Sequence, residues 1–265
     1  MTVILKSDYI VPEPYSLDMR GIQTDAYNEV MGGHKALIDP LQSGLGSVAN
    51  GANVPNLISG GEPAVASAAF ADIDTNKGFV FAGTNKSIAL PAAFNLLSFG
   101  SEPSVLISLW ATRAEAAMAS AYIAGSSYQV TTGVQWSLSE HSSGQLSFRV
   151  GGIETNVGDV TDVGNPLLFT ALLRRTTPGN YRVSIYRGTE LRGEFDRTYP
   201  FPNPADLSGA WPGPKLGNAS GTGYSENVTG AIHRAQTAKV NPDTFDAAEW
   251  IAAELAGNNG RFVIE

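Results

Sequence analysis

Asp72-Ile73-Asp74-Thr75-Asn76 sets oxygen-bearing side chains at alternate positions, the donors a hard cation such as calcium prefers. The sixth position is Lys77 instead of glycine and the twelfth is Gly83 instead of glutamate, which excludes an EF-hand loop. An irregular calcium site stays open beside the default reading, a polar turn before a strand. No other cofactor is expected. Trp211, Asn218 and Tyr224 form a different constellation. The two aromatics stand in the Gly- and Pro-rich stretches GAWPGPKLG and GTGYSEN. Sugar sites stack aromatic faces on pyranose rings and set Asn or Asp around them, so these three residues are the candidate carbohydrate-binding rim.

Other groups point to less. Arg174, Arg175, Arg182, Arg187, Arg192 and Arg197 face only Glu190, Glu194 and Asp196 in the same region, a local excess of three positive charges. Arginines and acids at alternating strand positions read as an exposed face with cross-strand pairs, or as a patch for an acidic partner or anionic polysaccharide. His34, His141 and His233 are the only histidines and lie far apart. They give neither metal-ligand spacing nor a Ser-His-Asp set. Trp110, Trp136 and Trp250 read as core or half-core residues.

Composition narrows the partners. The 265 residues carry a net charge of −8, against the Lys and Arg excess that phosphate contacts need, so nucleic acid is not expected. Cysteine is absent, which removes disulfides, thiolate metal sites and a cysteine nucleophile. No signal-peptide core and no membrane-length apolar run is visible, so no membrane partner is expected. A charged fraction of 16% with 29 glycines and 15 prolines suits many short strands joined by tight turns.

The elements that must position these residues are mostly strands. SVLISLWAT (104–112) is apolar nearly throughout and reads as a central strand. GFVFAGTNKSIALP (78–91) reads as strand, turn, strand. Further strands are expected at 120–125, 134–140, 145–152, 167–175, 180–188 and 190–196, with hairpin connectors at 176–180 and 187–189. Near the end, Val228, Gly230, Ile232 and Arg234 alternate with Thr229, Ala231, His233 and Ala235, the period of a strand with unlike faces. Asn241-Pro242-Asp243 predicts a helix start, Phe245, Ala248, Ile251 or Ala252, and Leu255 its apolar stripe, and Gly257-Asn258 its end. Residues 1–60 differ: an extended, Pro-containing arm with a short helix over 25–30, then a Gly- and Ser-rich linker. The domain boundary is drawn near residue 60, with the β domain over 61–265.

Four pieces, in order, carry a resemblance. Phe79 to Pro91 looks like the opening hairpin of concanavalin A-like, laminin-G-like jelly rolls, and Ser104 to Trp110 like the strand after it. Tyr181 to Leu191 resembles their later hairpin, and Gly230 to Ala235 with Ala247 to Ile251 their closing strand and helix. The resemblance implies an all-β fold: two antiparallel sheets as a jelly-roll sandwich, with an extended N-terminal arm and one short C-terminal helix. Across that family the front or its rim binds carbohydrate or protein, often with calcium, and one branch hydrolyses β-glucans. That branch carries Glu-x-Asp-x-x-Glu on one strand. Here the near match Glu194-Phe195-Asp196-Arg197-Thr198-Tyr199 fails at Tyr199, where retaining hydrolysis needs its second carboxyl.

The expectation from these readings is a non-enzymatic bacteriophage virion protein: a head decoration, tail or fibre component made in the host cytoplasm. It would contact other virion proteins, copies of itself and host surface polysaccharide. A carbohydrate-binding lectin is the second reading, and a glycoside hydrolase the third.

Overall fold

The computed structural model describes residues 34–82, 86–99, 104–114, 121–125, 136–140, 145–150, 153–158, 163–198, 213–217, 229–258 and 260–262. They form two antiparallel sheets and a C-terminal helix, the all-β sandwich expected. The first sheet runs β1 (His34–Ile38), β15 (Thr229–Lys239), β6 (Val105–Arg113), β11 (Pro166–Thr177), β12 (Asn180–Arg187), β13 (Glu190–Thr198), with β4 (Phe79–Ala82) also on β15. The second runs β10 (Ile153–Gly158), β9 (Leu146–Val150), β8 (Trp136–Glu140), β7 (Ala121–Gly125), β14 (Lys215–Gly217), β5 (Ser87–Ala89), β3 (Ala64–Ala66), β2 (Asn53–Val54). Among the described residues no helix is long and apolar enough to cross a membrane.

The main core lies between the sheets. Val105, Ile107, Leu109 and Ala111 of β6 meet Phe169, Ala171 and Leu173 of β11 there, with Phe79 and Phe81 from β4 and Trp136 and Phe148 from the other sheet. Phe70 holds the two β4 rings edge-on, its centroid 5.3 Å from each. A second apolar cluster lies on the far face of the first sheet, where Leu106, Trp110, Leu168 and Leu172 pack under Phe245, Trp250, Ile251 and Phe262. This explains why β6 is apolar on both faces: one looks into the sandwich and the other is roofed by the helix. Trp110, Trp136 and Trp250 are buried, as expected.

Several expectations need correction. β4 and β5 do not make a hairpin; β4 pairs with β15 in one sheet and β5 with β14 and β3 in the other. The chain crosses between layers there, and Gly83, Thr84 and Asn85 lie outside the described residues. The helix α1 spans Ala247–Gly257, not a segment opened by Asn241. Asp246 is its N-cap, its Oδ1 accepting from Ala248 N at 2.8 Å and Glu249 N at 3.1 Å. Asn241 instead caps a turn, accepting from Asp243 N at 3.0 Å through its side chain and from Phe245 N at 3.0 Å through its carbonyl. The buried stripe is therefore Ala247, Trp250, Ile251 and Glu254, which puts the largest side chain under the roof. The helix does end at Gly257, with Asn258 as its C-cap.

The alternation in β15 also breaks. Ile232 pairs with Ala111 and Arg234 with Trp110, so His233 is an extra residue, a bulge. Ile232 and Ala235 consequently face the sandwich core, while Arg234 turns to the helix side.

Of the expected arm, residues 1–33 lie outside the described residues, with the short helix over 25–30 among them. The following segment is woven into both sheets. β1 pairs with β15 and buries Ala36, Leu37 and Ile38. The boundary expected near residue 60 falls between β2 and β3, which pair with each other.

Candidate functional site

The helix roof covers only part of the first sheet, and a groove of about 830 Å³ opens where it ends. One wall is the end of α1, with Leu255 and Ala256. The other is the β12–β13 turn, Arg187 to Glu190, with Asn165 and Pro166 at the start of β11 beside it. Trp110, Leu167 and Leu168 form the floor with Phe262. Gly188 sits at φ +53°, a turn conformation that a side chain resists, and its N–H donates to Leu168 O at 2.7 Å. That bond fixes the turn against β11. Glu190 is held at the rim by Arg192, 2.9 Å away.

The floor is rigid because a buried charge network backs it. Arg234 stands 3.0 Å from Asp39 and 2.9 Å from Glu254, all three essentially without solvent exposure. Arg261 reaches Asp39 at 2.8 Å, so two guanidiniums balance two carboxylates. Trp110 Nε1 donates to Glu254 Oε1 at 3.0 Å, which locks the floor indole. Asn258 Nδ2 donates to the same oxygen at 3.0 Å and accepts from Arg261 through Oδ1 at 2.6 Å. Unpaired, any one of these charges would be expensive so far from water. The network ties the turn after β1, strand β15, the helix and the C-terminal tail into one unit.

His233 borders this unit. Its ring stacks on Phe262 with centroids 5.0 Å apart and planes 20° apart. Nε2 lies 2.7 Å from Thr112 Oγ1 and Nδ1 2.7 Å from Lys77 O. The Lys77 loop comes this close because residue 78 is glycine; a Cβ there would stand 2.8 Å from the His233 ring nitrogen. Burial pushes the imidazole down to about 4, against a smaller opposite pull from the Lys77 carbonyl and Asp39.

Trp211, Asn218 and Tyr224 all lie outside the described residues. Between the first two, β14 is an interior strand, flanked by β7 and β5. His141 is likewise outside, and His34 instead bonds Gln236 at 3.0 Å. In the Asp72–Asn76 loop Ile73 is buried between exposed Asp72 and Asp74, and Asn76 N donates to Asp72 O at 2.8 Å, which is a turn. No cluster of three or more His, Asp or Glu side chains suited to a metal occurs among the described residues. In the arginine-rich hairpin Arg182 pairs across the strands with Asp196 at 2.9 Å, while Arg174 donates to Phe245 O in the loop before the helix at 2.9 Å. Arg182 holds Asp196 below the usual carboxylate range, the wrong direction for the acid of a hydrolytic pair.

The sequence matches no family model, and a search of curated proteins finds no match. Solved structures do match. Trypanosoma rangeli sialidase, as its covalent intermediate with 2,3-difluorosialic acid, aligns over 94% of this chain and 39% of its own, with TM-score 0.55 and 13% identity.

The fold is shared with sialidase chains.

A mutant of the same sialidase displaying trans-sialidase activity aligns with TM-score 0.58, 12% identity and the same coverage, 94% and 39%. The CBM40 of Ruminococcus gnavus IT-sialidase, bound to α2,3 sialyllactose, gives TM-score 0.45 and 14% identity over 66% of this chain and 95% of its own. The chain thus spans about 39% of the length of the sialidases it matches. The two sialidase structures correct the expectation of a non-enzymatic chain, since the fold occurs within sialidase chains. The phage-virion role expected from the resemblance has no counterpart in these three structures.

Proposed function

We propose that this chain binds carbohydrate, in the groove between the end of α1 and the β12–β13 turn. The observation that carries the reading is the make-up of that groove: Pro166, Leu167, Leu255 and Ala256 offer apolar surface above the buried Trp110, and Asn165, Arg187 and Glu190 stand around it. A sugar ring has C–H faces and a hydroxyl edge, so it takes an apolar floor together with a few oriented polar groups. The network behind Trp110 supports the reading by keeping the floor in one conformation before any ligand arrives. The fold shared with sialidases is in keeping with a glycan as the ligand. Surface polysaccharide is the expected source of that glycan. A place on a phage particle is proposed on the resemblance alone, and immunogold labelling of particles would test it.

A glycan array followed by calorimetry on the best binder tests the groove. Asn165→Ala and Glu190→Ala remove rim groups at exposed positions and should leave the thermal midpoint close to that of the parent protein. Each should weaken binding by about tenfold, the loss of one good hydrogen bond to a bound ligand. Unchanged affinity in both, with folding intact, would move the site elsewhere. Sugar release is followed in the same samples, because the fold is shared with sialidases.

A further inference from the structure

A second polar pocket lies at the other end of the same hairpin. It has a volume of about 360 Å³ and is lined by Thr176, Asn180, Tyr181, Arg182, Asp196 and Thr198. It stands where β12 begins and β13 ends, whereas the groove stands at the β12–β13 turn. Seven residue steps along β12 separate the two, roughly 24 Å at the rise of an extended strand.

The polar groups of this pocket hold one another in place. Arg182 donates to Asp196 through Nε at 2.9 Å and through Nη2 at 3.2 Å, a two-point pair of fixed orientation. Thr198 Oγ1 donates to Asn180 Oδ1 at 2.7 Å, and Asn180 Nδ2 donates to Thr177 Oγ1 at 2.8 Å. Thr176 Oγ1 donates to Asn180 O at 3.1 Å. None of these bonds exhausts its groups. Each Asp196 oxygen keeps an acceptor position after its bond to Arg182, and a guanidinium has more N–H groups than the two used here. A spare acceptor and a spare donor therefore sit side by side on one bidentate pair.

A vicinal diol matches that arrangement. One hydroxyl gives its proton to the carboxylate while its neighbour accepts from the guanidinium. The amide of Asn180 and the hydroxyls of Thr176 and Thr198 supply further donors and acceptors around the same space. The charges of Arg182 and Asp196 cancel, so an anionic sugar gains no net attraction here and meets Glu194 nearby, 3.9 Å from Arg182 Nη1.

We propose that the pocket formed by Asn180, Arg182, Asp196 and Thr198 is a second saccharide site, specific for the vicinal hydroxyls of a neutral hexose. It rests on the general reading of the chain as a glycan binder, but not on the groove, and each site is tested without the other. The probes are the methyl glycosides of glucose, mannose and galactose, with N-acetylneuraminic acid as the charged comparison, titrated into the isotopically labelled full chain. At least one neutral glycoside should shift the Arg182 Nε–H and the backbone amides of Asn180, Asp196 and Thr198. Asp196→Ala should weaken that binding by about tenfold or more, the loss of a hydrogen bond to a charged group. Asp196→Asn keeps one acceptor and should fall between. Asp196 is exposed, so an unchanged amide spectrum elsewhere shows that the fold is intact. Glu190→Ala, at the distant groove, should leave these shifts as they are. The proposal is overturned if no neutral glycoside shifts these four residues, if Asp196→Ala leaves the affinity unchanged, or if N-acetylneuraminic acid binds there more tightly than every neutral sugar.

Discussion

Arg234→Leu should lower the stability of the protein by about 3–5 kcal/mol, the usual result of removing one partner from a buried ion pair. The guanidinium lies against Asp39 at 3.0 Å and Glu254 at 2.9 Å, and neither carboxylate has access to water. With Arg234 gone, Asp39 keeps Arg261, and Glu254 keeps the neutral donors Trp110 and Asn258. Glu254→Gln should cost clearly less than Arg234→Leu, because an amide oxygen still accepts from Trp110 and Asn258. Urea denaturation reads both. Equal and small losses would mean that the network is solvated and does not brace the groove floor. The loss should also reach beyond stability. Arg234→Leu frees the Trp110 indole from a fixed acceptor geometry, so glycan affinity should drop even where the variant stays folded.

Acid should destabilise the protein in a window set by His233. Its folded value, about 4, lies below the ordinary 6.5, so between the two the unfolded chain binds a proton that the folded chain refuses. The stability that His233 contributes as a neutral residue is complete above about pH 6.5 and is lost as pH falls towards 4. The full span corresponds to about 3 kcal/mol. Denaturation midpoints measured from about pH 7 down to pH 4.5 should fall steadily, and His233→Gln should flatten that slope while lowering the starting value. Asp196 also titrates low, but its loss comes below 3.8, outside the window. A flat profile in the parent protein would show that the ring is hydrated and the β15 bulge open.

The strands that dominate the fold were legible because they are extreme. β6 and β11 are apolar on both faces, and only a central strand covered on two sides tolerates that. The β11–β12 and β12–β13 hairpins were legible through their turn residues, Pro178-Gly179 and Gly188-Thr189. What was not legible depends on partners far along the chain. Phe79–Ala82 and Ser87–Ala89 have the local pattern of a hairpin, and only long-range pairing with β15 and β14 sends them to opposite layers. β1 is five residues long, and its partner lies about two hundred positions away. The bulge at His233 leaves no mark in the local alternation, because a bulge is defined by register against β6. Asn241 has the local look of a helix cap, but it caps a turn; Asp246 caps the helix, and from that start Trp250 falls on the buried stripe.

The groove was the least legible part. Trp110 read correctly as core, and nothing in the sequence says that one edge of its environment opens to solvent. Asn165 and Glu190 are ordinary turn residues until the helix end is placed opposite them. The sequence does carry one signal of the buried network. With the helix placed from Ala247, Glu254 falls on the same face as Trp250 and Ile251, and an acid in that stripe calls for a buried base. Arg234, in an otherwise small and apolar strand, was the partner to look for.

The structure of the protein bound to its best array glycan is the most direct measurement. A sugar ring lying over Leu167 and Leu255, with hydroxyls bonded to Asn165 or the Arg187–Glu190 turn, is the predicted result. A glycan seated away from this groove and from the Arg182–Asp196 pocket, or no glycan bound by the folded chain, would contradict it.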